Sequence, residues 1–294
     1  MSFENFKKKD GDQLSKLLNT VSEETGKVEK KNYNDERIWK PTVDKAGNGY
    51  AVIRFLPTQN DEENGPWVRY WDHGFKGPTG QWFIEKSLTS LGQQCPVSEM
   101  NSKLWNSGAE ADKQTARERK RRLHYVSNIL VVSDPSSPQN EGKVFLYQFG
   151  KKIHEKIVDL MQPQFPDEKP VNPYSWESGA DFQLKIRNVE GYRNYDKSEF
   201  KSVSPIYADD EAKQKTVYEQ LHNLGEWIDP KNYLTYDEMR TKLANVLGES
   251  VSRTIKEYVA LDETASPAAH PSANNVDDSD DDTLSYFAKL ANEE

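Results

Sequence analysis

The sequence has a single cysteine, Cys95, in 294 residues. No internal disulfide can form, which agrees with a reducing compartment. No apolar run approaches the roughly 18 to 20 residues that span a bilayer. The N-terminal MSFENFKKKDGDQLSKLL lacks the apolar stretch and small-residue cleavage site of a signal peptide. The expectation is a soluble protein that stays in the cytoplasm and makes no membrane contact. His73, His124, His154, His222 and His270 are scattered without HxxxH or HExxH spacing, so no histidine metal centre is indicated. GFKGPTG lacks the Gly-Lys-Ser/Thr ending of a phosphate loop. Cys95 has no histidine close in sequence to activate it, and a buried structural thiol is expected. The dense carboxylate cluster, Asp277 to Asp282, lies in a segment without periodicity, whereas a nuclease site needs rigidly held ligands. No enzyme is expected, and no internal repeat is evident.

What is present is an uneven charge. The net charge is -9. From Asp262 onward nine acidic residues stand against Lys289 alone, so the tail carries -8 and residues 1–261 carry -1. Within that near-neutral body, KQTARERKRRLHY (Lys113 to Tyr125) has six Lys or Arg and one Glu. A basic patch followed by an acidic tail is the main electrostatic feature.

Three parts follow from composition. Residues 1–20 carry Lys7, Lys8 and Lys9 and then QLSKLL, too short for a stable isolated helix. They read either as an arm that docks on a partner or as a solvated terminus. Residues 21–261 form the body. NGYAVIRFLP alternates, with Ala51, Ile53 and Phe55 on one side and Val52, Arg54 and Leu56 on the other. Strands are also expected at QWFIEK, HYVSNILVVSDP, KVFLYQFGKK and DFQLKIRNVEGY, separated by turn signals. The insertion from about 71 to 119 reads as a small attached lobe. Helices are expected at Ile153–Gln162, with Ile153, Ile157, Leu160 and Met161 inward, and at TYDEMRTKLANVLG, where Thr235 and Glu238 form a capping box and Gly248 a stop. SVSRTIKEYVAL is expected to be a last helix. Residues 262–294 combine a Pro/Ala/Ser/Asn linker, an acidic run and LSYFAKL, and are expected to be disordered until a partner binds.

Single-stranded nucleic acid offers a charged backbone and unstacked base faces, so a binder without sequence preference needs a cationic groove lined with rings. Lys120, Arg121 and Arg122 lead into Tyr125. Phe145, Tyr147 and Phe149 share one strand face and precede Lys151 and Lys152, while Tyr192, Arg193 and Tyr195 read as a hairpin tip. Each cluster alone has a plainer explanation, barrel core for the alternating rings and a solvated loop for the cations. Their conjunction points to single-stranded nucleic acid.

At these residues the chain resembles the helix-destabilising single-stranded DNA-binding protein of T-even-type bacteriophages, over nearly its whole length. AGNGYAVIRFLP, DHGFKGPTGQWFIE, CPVS, SNILVVSDPSSPQNEGKVFLYQFGKKI and GYRNYD carry the resemblance. It implies an α+β, mainly β fold: an OB-fold core, a five-stranded barrel, with an inserted lobe. It also implies a self-associating arm (Lys7, Lys8, Lys9) that binds neighbouring copies on DNA, and an acidic tail that contacts replication, recombination and repair proteins. The implied function is cooperative, sequence-nonspecific binding and protection of single-stranded DNA in the infected bacterial cytoplasm. The alternatives are an RNA-binding translational regulator and a recruitment scaffold acting through its tail. The DNA-contacting positions would be Lys120, Arg121, Arg122, Tyr125, Tyr147, Tyr192, Tyr195, Trp105 and Lys151.

Three departures stand out. Lys7 to Lys9 are followed by Asp10 and Gly11 rather than hydroxyl residues. Ala116 and Val126 stand where the family pattern has aromatic rings, leaving His124 or Phe83 to supply stacking area. The family's zinc site uses one histidine and three cysteines; His73 and Cys95 match two positions, while Ser87 and Ser98 occupy the others. Neutral hydroxyls are poor Zn²⁺ ligands, so zinc is expected to be absent. The lobe is then expected to be held by apolar packing of Trp71, Trp82, Phe83, Ile84, Leu88 and Leu91.

Overall fold

The structure, a computed structural model, describes residues 35–59 and 65–248. The arm, the expected helix at SVSRTIKEYVAL and the acidic tail lie outside the described residues. The chain divides into two units, 1–38 and 39–294. Of the first, only residues 35–38 are described, where Arg37 pairs with Asp35 at 2.9 Å.

The second unit is α+β with a mainly antiparallel sheet. In order, its elements are β1 (Gly49–Phe55), β2 (Val68–Lys76), β3 (Trp82–Lys86), α1 (Pro96–Asn106), α2 (Glu110–Glu118), β4 (Arg122–Ser133), β5 (Val144–Phe149), α3 (Lys151–Met161), β6 (Ala180–Val189), β7 (Tyr192–Asn194), β8 (Glu199–Val203), α4 (Glu211–Glu219) and α5 (Tyr236–Leu247). The sheet runs β3-β2-β4-β1-β6-β7, with β5 on β4 and β8 on β6. Strand β4 organises it. One half pairs with β2 through Val68↔Val126 to Asp72↔Arg122, and the other with β1 through Phe55↔Ile129. Its opposite edge takes β5.

The alternation expected of the first strand divides the interior as its periodicity requires. Ala51, Ile53 and Phe55 enter the main core with Tyr125, Ile129, Phe149, Ile153, Ile157, Phe182 and Leu184. Leu56, on the other face, enters a separate cluster with Leu130, Val144, Ile206 and Val217. Arg54 also lies on that face and is 1% exposed, with its Nη1 3.1 Å from Asp181 Oδ1. Burial penalises its charge and pushes its pKa down, while Asp181 pulls it back up.

Both testable helices form. Helix α3 turns Ile153 and Ile157 inward as expected, though Leu160 and Met161 are only half-buried. Helix α5 carries the full Thr235–Glu238 capping box and ends at Gly248 with φ 72°. The GYRNYD hairpin forms as well. Glu190 (φ 55°) and Gly191 (φ 89°) are the two loop residues between Val189 and its partner Tyr192. Positive φ at both positions is the twist-compatible two-residue hairpin geometry.

The inserted lobe is not self-contained. Its core joins Phe75, Phe83, Leu88, Cys95 and Val97 to Met239, Leu243 and Val246 of α5. Of the expected packing residues, Phe83 and Leu88 are buried. Ile84 is 40% exposed, and Trp71, Trp82 and Leu91 are only partly covered. The missing apolar area comes from the far end of the described chain.

Candidate nucleic-acid interface

An open cleft of about 590 Å³ separates α1 from the end of α2 and the loop into β4; its lining includes Ser98, Asn101, Trp105, Arg117, Lys120 and Arg121. None of its lining residues is acidic. Trp105 is 41% exposed and the Arg117 guanidinium lies 5.5 Å from its ring centroid. Arg117 also pairs with Glu110 at 2.9 Å, but that pair is exposed and contributes little. Three cations and a ring therefore share one wall-to-wall groove. Such a groove favours an anion through its potential and a planar group through its ring.

The basic run KRR is divided by the fold. Arg122 sits opposite Asp72 on β2, and its Nε and Nη2 reach the two Asp72 oxygens at 2.8 and 3.0 Å. Gly74 makes this possible, because a side chain there would collide with the Arg122 guanidinium. His124 Nε2 lies 3.0 Å from the same carboxylate. Burial raises the Asp72 pKa, but His124 and Arg122 outweigh it and hold the carboxyl below its ordinary value. Arg122, expected at the groove, is thus placed in an ion pair with Asp72 and is not among the residues lining the cleft. Arg121 points the other way, with its guanidinium 5.0 Å from the Trp71 ring centroid.

The expected rings divide too. Tyr192 is 55% exposed at the hairpin. Tyr125, Tyr147 and Tyr195 instead belong to the main core, at 7%, 3% and 5% exposure. Tyr125 is stacked against His154 at 3.9 Å and against Phe149 at 5.7 Å. Tyr147 lies edge-on to Trp39 at 5.4 Å, so in this structure all three rings pack in the core. His124 and Phe83, the expected substitutes for missing stacking area, are 3% and 0% exposed. Neither offers a face: His124 stacks on Tyr70 and accepts or shares a hydrogen bond with Gln148, and Phe83 is packed against Phe75. Lys151 is exposed at the start of α3, 3.8 Å from Glu155.

A family model described as "gp32 DNA binding protein like" matches residues 47–247. The chain belongs to the gp32-like DNA-binding protein family. Its relatives include the single-stranded DNA-binding protein of Enterobacteria phage T4, 42% identical over 222 residues, which are 74% of this chain and 72% of the relative. The protein of the same name from Enterobacteria phage T2 is 42% identical over 219 residues, 73% and 71% of the two chains. A third, from Escherichia phage SV14, is 46% identical over 77 residues, 25% of this chain and 66% of that one. The family is one of binding proteins rather than enzymes.

Three of the four positions that the resemblance assigns to a zinc site are in contact. His73 Nε2 is 3.1 Å from Ser87 Oγ and 3.5 Å from Cys95 Sγ, and His73 is fully buried. Ser98 Oγ is buried at the first turn of α1 without a hydrogen-bond partner. Burial raises the Cys95 pKa, yet hydrogen bonds from His73 and Ser87, the His73 charge and the Ser98 backbone bring it down to about 6. The donor set does not fit zinc: one thiol and one imidazole are joined by two neutral hydroxyls, whereas structural sites take four thiolate or imidazole ligands. Met239 closes the site from α5, 3.6 Å from Cys95 Sγ. Among the described residues no group of three or more His, Cys, Asp or Glu could hold a metal ion, and no helix is long and apolar enough to cross a membrane.

Proposed function

We propose that this chain binds single-stranded DNA without sequence preference, along the cleft between α1, α2 and β4. The observation that carries the reading is that acid-free groove, with Trp105, Arg117, Lys120 and Arg121 on its walls, in a chain 42% identical to two proteins named for single-stranded DNA binding. Tyr192 and Lys151, both exposed, extend the contact surface. Binding one strand form and not the duplex removes hairpins by mass action alone.

Further parts of the reading rest on the resemblance. The core is an OB fold made of β1, β4, β5, β6 and β8, a view supported by strand order and by α3 falling between the third and fourth of these strands. Residues 1–20 bind neighbouring copies through Lys7, Lys8 and Lys9; residues 21–261 hold the DNA; residues 262–294 contact replication, recombination and repair proteins in the cytoplasm of an infected cell. The tail's charge of -8 would compete with weak ligands for the groove. The lobe holds no zinc, a view supported by the hydroxyls at Ser87 and Ser98.

Titration of single-stranded and duplex oligonucleotides at two salt concentrations tests this. Single strands are expected to bind far more tightly, with log K falling by about 2 to 3 per decade of salt if three or four phosphates are neutralised. Equal affinity for duplex and single strand would refute it. The same titration on a long strand, with and without residues 1–20 or 262–294, should show lost clustering in the first case and tighter binding in the second.

A further inference from the structure

We propose that Trp71 is the principal base-stacking ring of this interface, with the neighbouring guanidinium groups of Arg69 and Arg121 binding the adjoining phosphodiester. The inference rests on the single-strand reading above and names the ring that reading lacks.

Burial changes parity along β2. Val68 and Tyr70 are buried in its first half, but His73 and Phe75 are buried in its second. The face bearing Arg69, Trp71 and His73 is therefore open at its start and closed from His73 onward by the lobe core, where Phe75 joins Cys95, Met239 and Val246. Trp71 stands where that face opens. It is only partly covered, and Arg69 beside it is exposed.

Two guanidinium carbons approach the Trp71 ring centroid, Arg69 at 4.8 Å and Arg121 at 5.0 Å. Among the described residues neither arginine pairs with a carboxylate, whereas Arg122, one residue from Arg121, is held by both oxygens of Asp72. Two like charges over one ring repel each other, and an anion between them relieves the repulsion. Guanidinium planes also stack on bases and fork onto phosphate oxygens. The set is thus built for a group with a flat apolar face next to a negative charge, which describes one nucleotide of an unpaired strand. Arg121 also lines the cleft that holds Lys120, Arg117 and Trp105. The surface from Trp105 to Arg69 is therefore continuous through shared side chains. Ala116 and Val126 are buried and carry no ring, and His124 and Phe83 are enclosed, so the stacking area absent from those positions is supplied by Trp71.

The test compares Trp71→Ala, Trp71→Leu and Trp71→Phe with the full-length wild type, using a labelled oligo-dT at two salt concentrations and a melting curve for each variant. Loss of one stacked base predicts about 5- to 150-fold weaker binding for the Ala and Leu variants. Their salt slope should be unchanged, because no phosphate contact is removed, and Phe should retain most of the affinity. Arg69→Gln should lower the slope by about 0.7, one phosphate's share. If Leu binds as tightly as Phe and wild type, Trp71 is packing only and the inference is wrong. That comparison holds even if the Ala variant fails to fold, since Leu and Phe both keep an apolar side chain. Wild type that does not prefer single strands would overturn the underlying reading as well.

Discussion

Arg122, Asp72 and His124 form one polar cluster where β4 meets β2. The Asp72 side chain is 18% exposed and that of Arg122 is 12% exposed, so removing one partner leaves the other poorly solvated. Asp72→Asn should cost about 2–3 kcal/mol at pH 7, somewhat below the roughly 3–5 kcal/mol for breaking a fully buried pair because both groups keep some water. The direction with pH follows from the depressed Asp72 pKa. A carboxyl held below its unfolded value adds stability that is fully present above about pH 4 and is lost as pH falls through the folded pKa. Denaturant melts of wild type and Asp72→Asn should therefore converge below about pH 4. A gap that stayed constant would show that Asp72 acts by shape rather than charge. Composition alone treats Lys120, Arg121 and Arg122 as one basic run. The fold separates them, because Arg122 opens β4 opposite Asp72 while Lys120 and Arg121 precede the strand and line the cleft.

At the scale of elements, α5 decides whether the lobe holds together. Its capping box satisfies backbone donors at the helix start, with Thr235 N–H donating to Glu238 Oε2 at 2.8 Å. Thr235→Ala should destabilise by about 1–2 kcal/mol. Since α5 supplies Met239, Leu243 and Val246 to the lobe core, the loss should appear in hydrogen exchange at α1 and β3 as well as α5. Faster exchange confined to α5 would mean that the lobe does not depend on it. The helix was readable from Thr235, Glu238 and Gly248. Its destination was not, because an apolar stripe does not specify which surface covers it. The β6–β7 hairpin was legible only in part: its tip was expected at Tyr192, Arg193 and Tyr195, but positive φ at Glu190 and Gly191 sets the turn before them and leaves Tyr192 in β7. The rings of β5 were ambiguous for a physical reason: alternation says that Phe145, Tyr147 and Phe149 share a face, and only the arrival of Trp39 and Phe55 against Tyr147 and Phe149 makes that face interior.

For the molecule as a whole, the question is what holds the lobe where relatives of this family are expected to use a metal. His73, Ser87 and Cys95 are linked by hydrogen bonds at 3.1 and 3.5 Å, and Met239 covers them. Lys242 pairs with Glu85 across the same junction. A lobe held this way should be indifferent to chelators. Incubation with excess EDTA should leave the melting temperature within about 1 °C, whereas removing a structural zinc would remove folding free energy outright. Elemental analysis finding one zinc per chain after EDTA treatment would contradict this.

The sequence by itself determined the strands β1, β3, β4, β5 and β6, the helices α3 and α5 with the capping box of the latter, and that the cations cluster before β4. These depend on neighbours a few residues apart, or on a chemistry written in residue identity. Only the tertiary structure decided which cations are neutralised, which rings are enclosed and which remain at the surface. Those outcomes depend on strands and helices that meet from distant parts of the chain: Asp72 against Arg122, α3 over Tyr125, α5 against Cys95, and Arg69 with Arg121 beside Trp71.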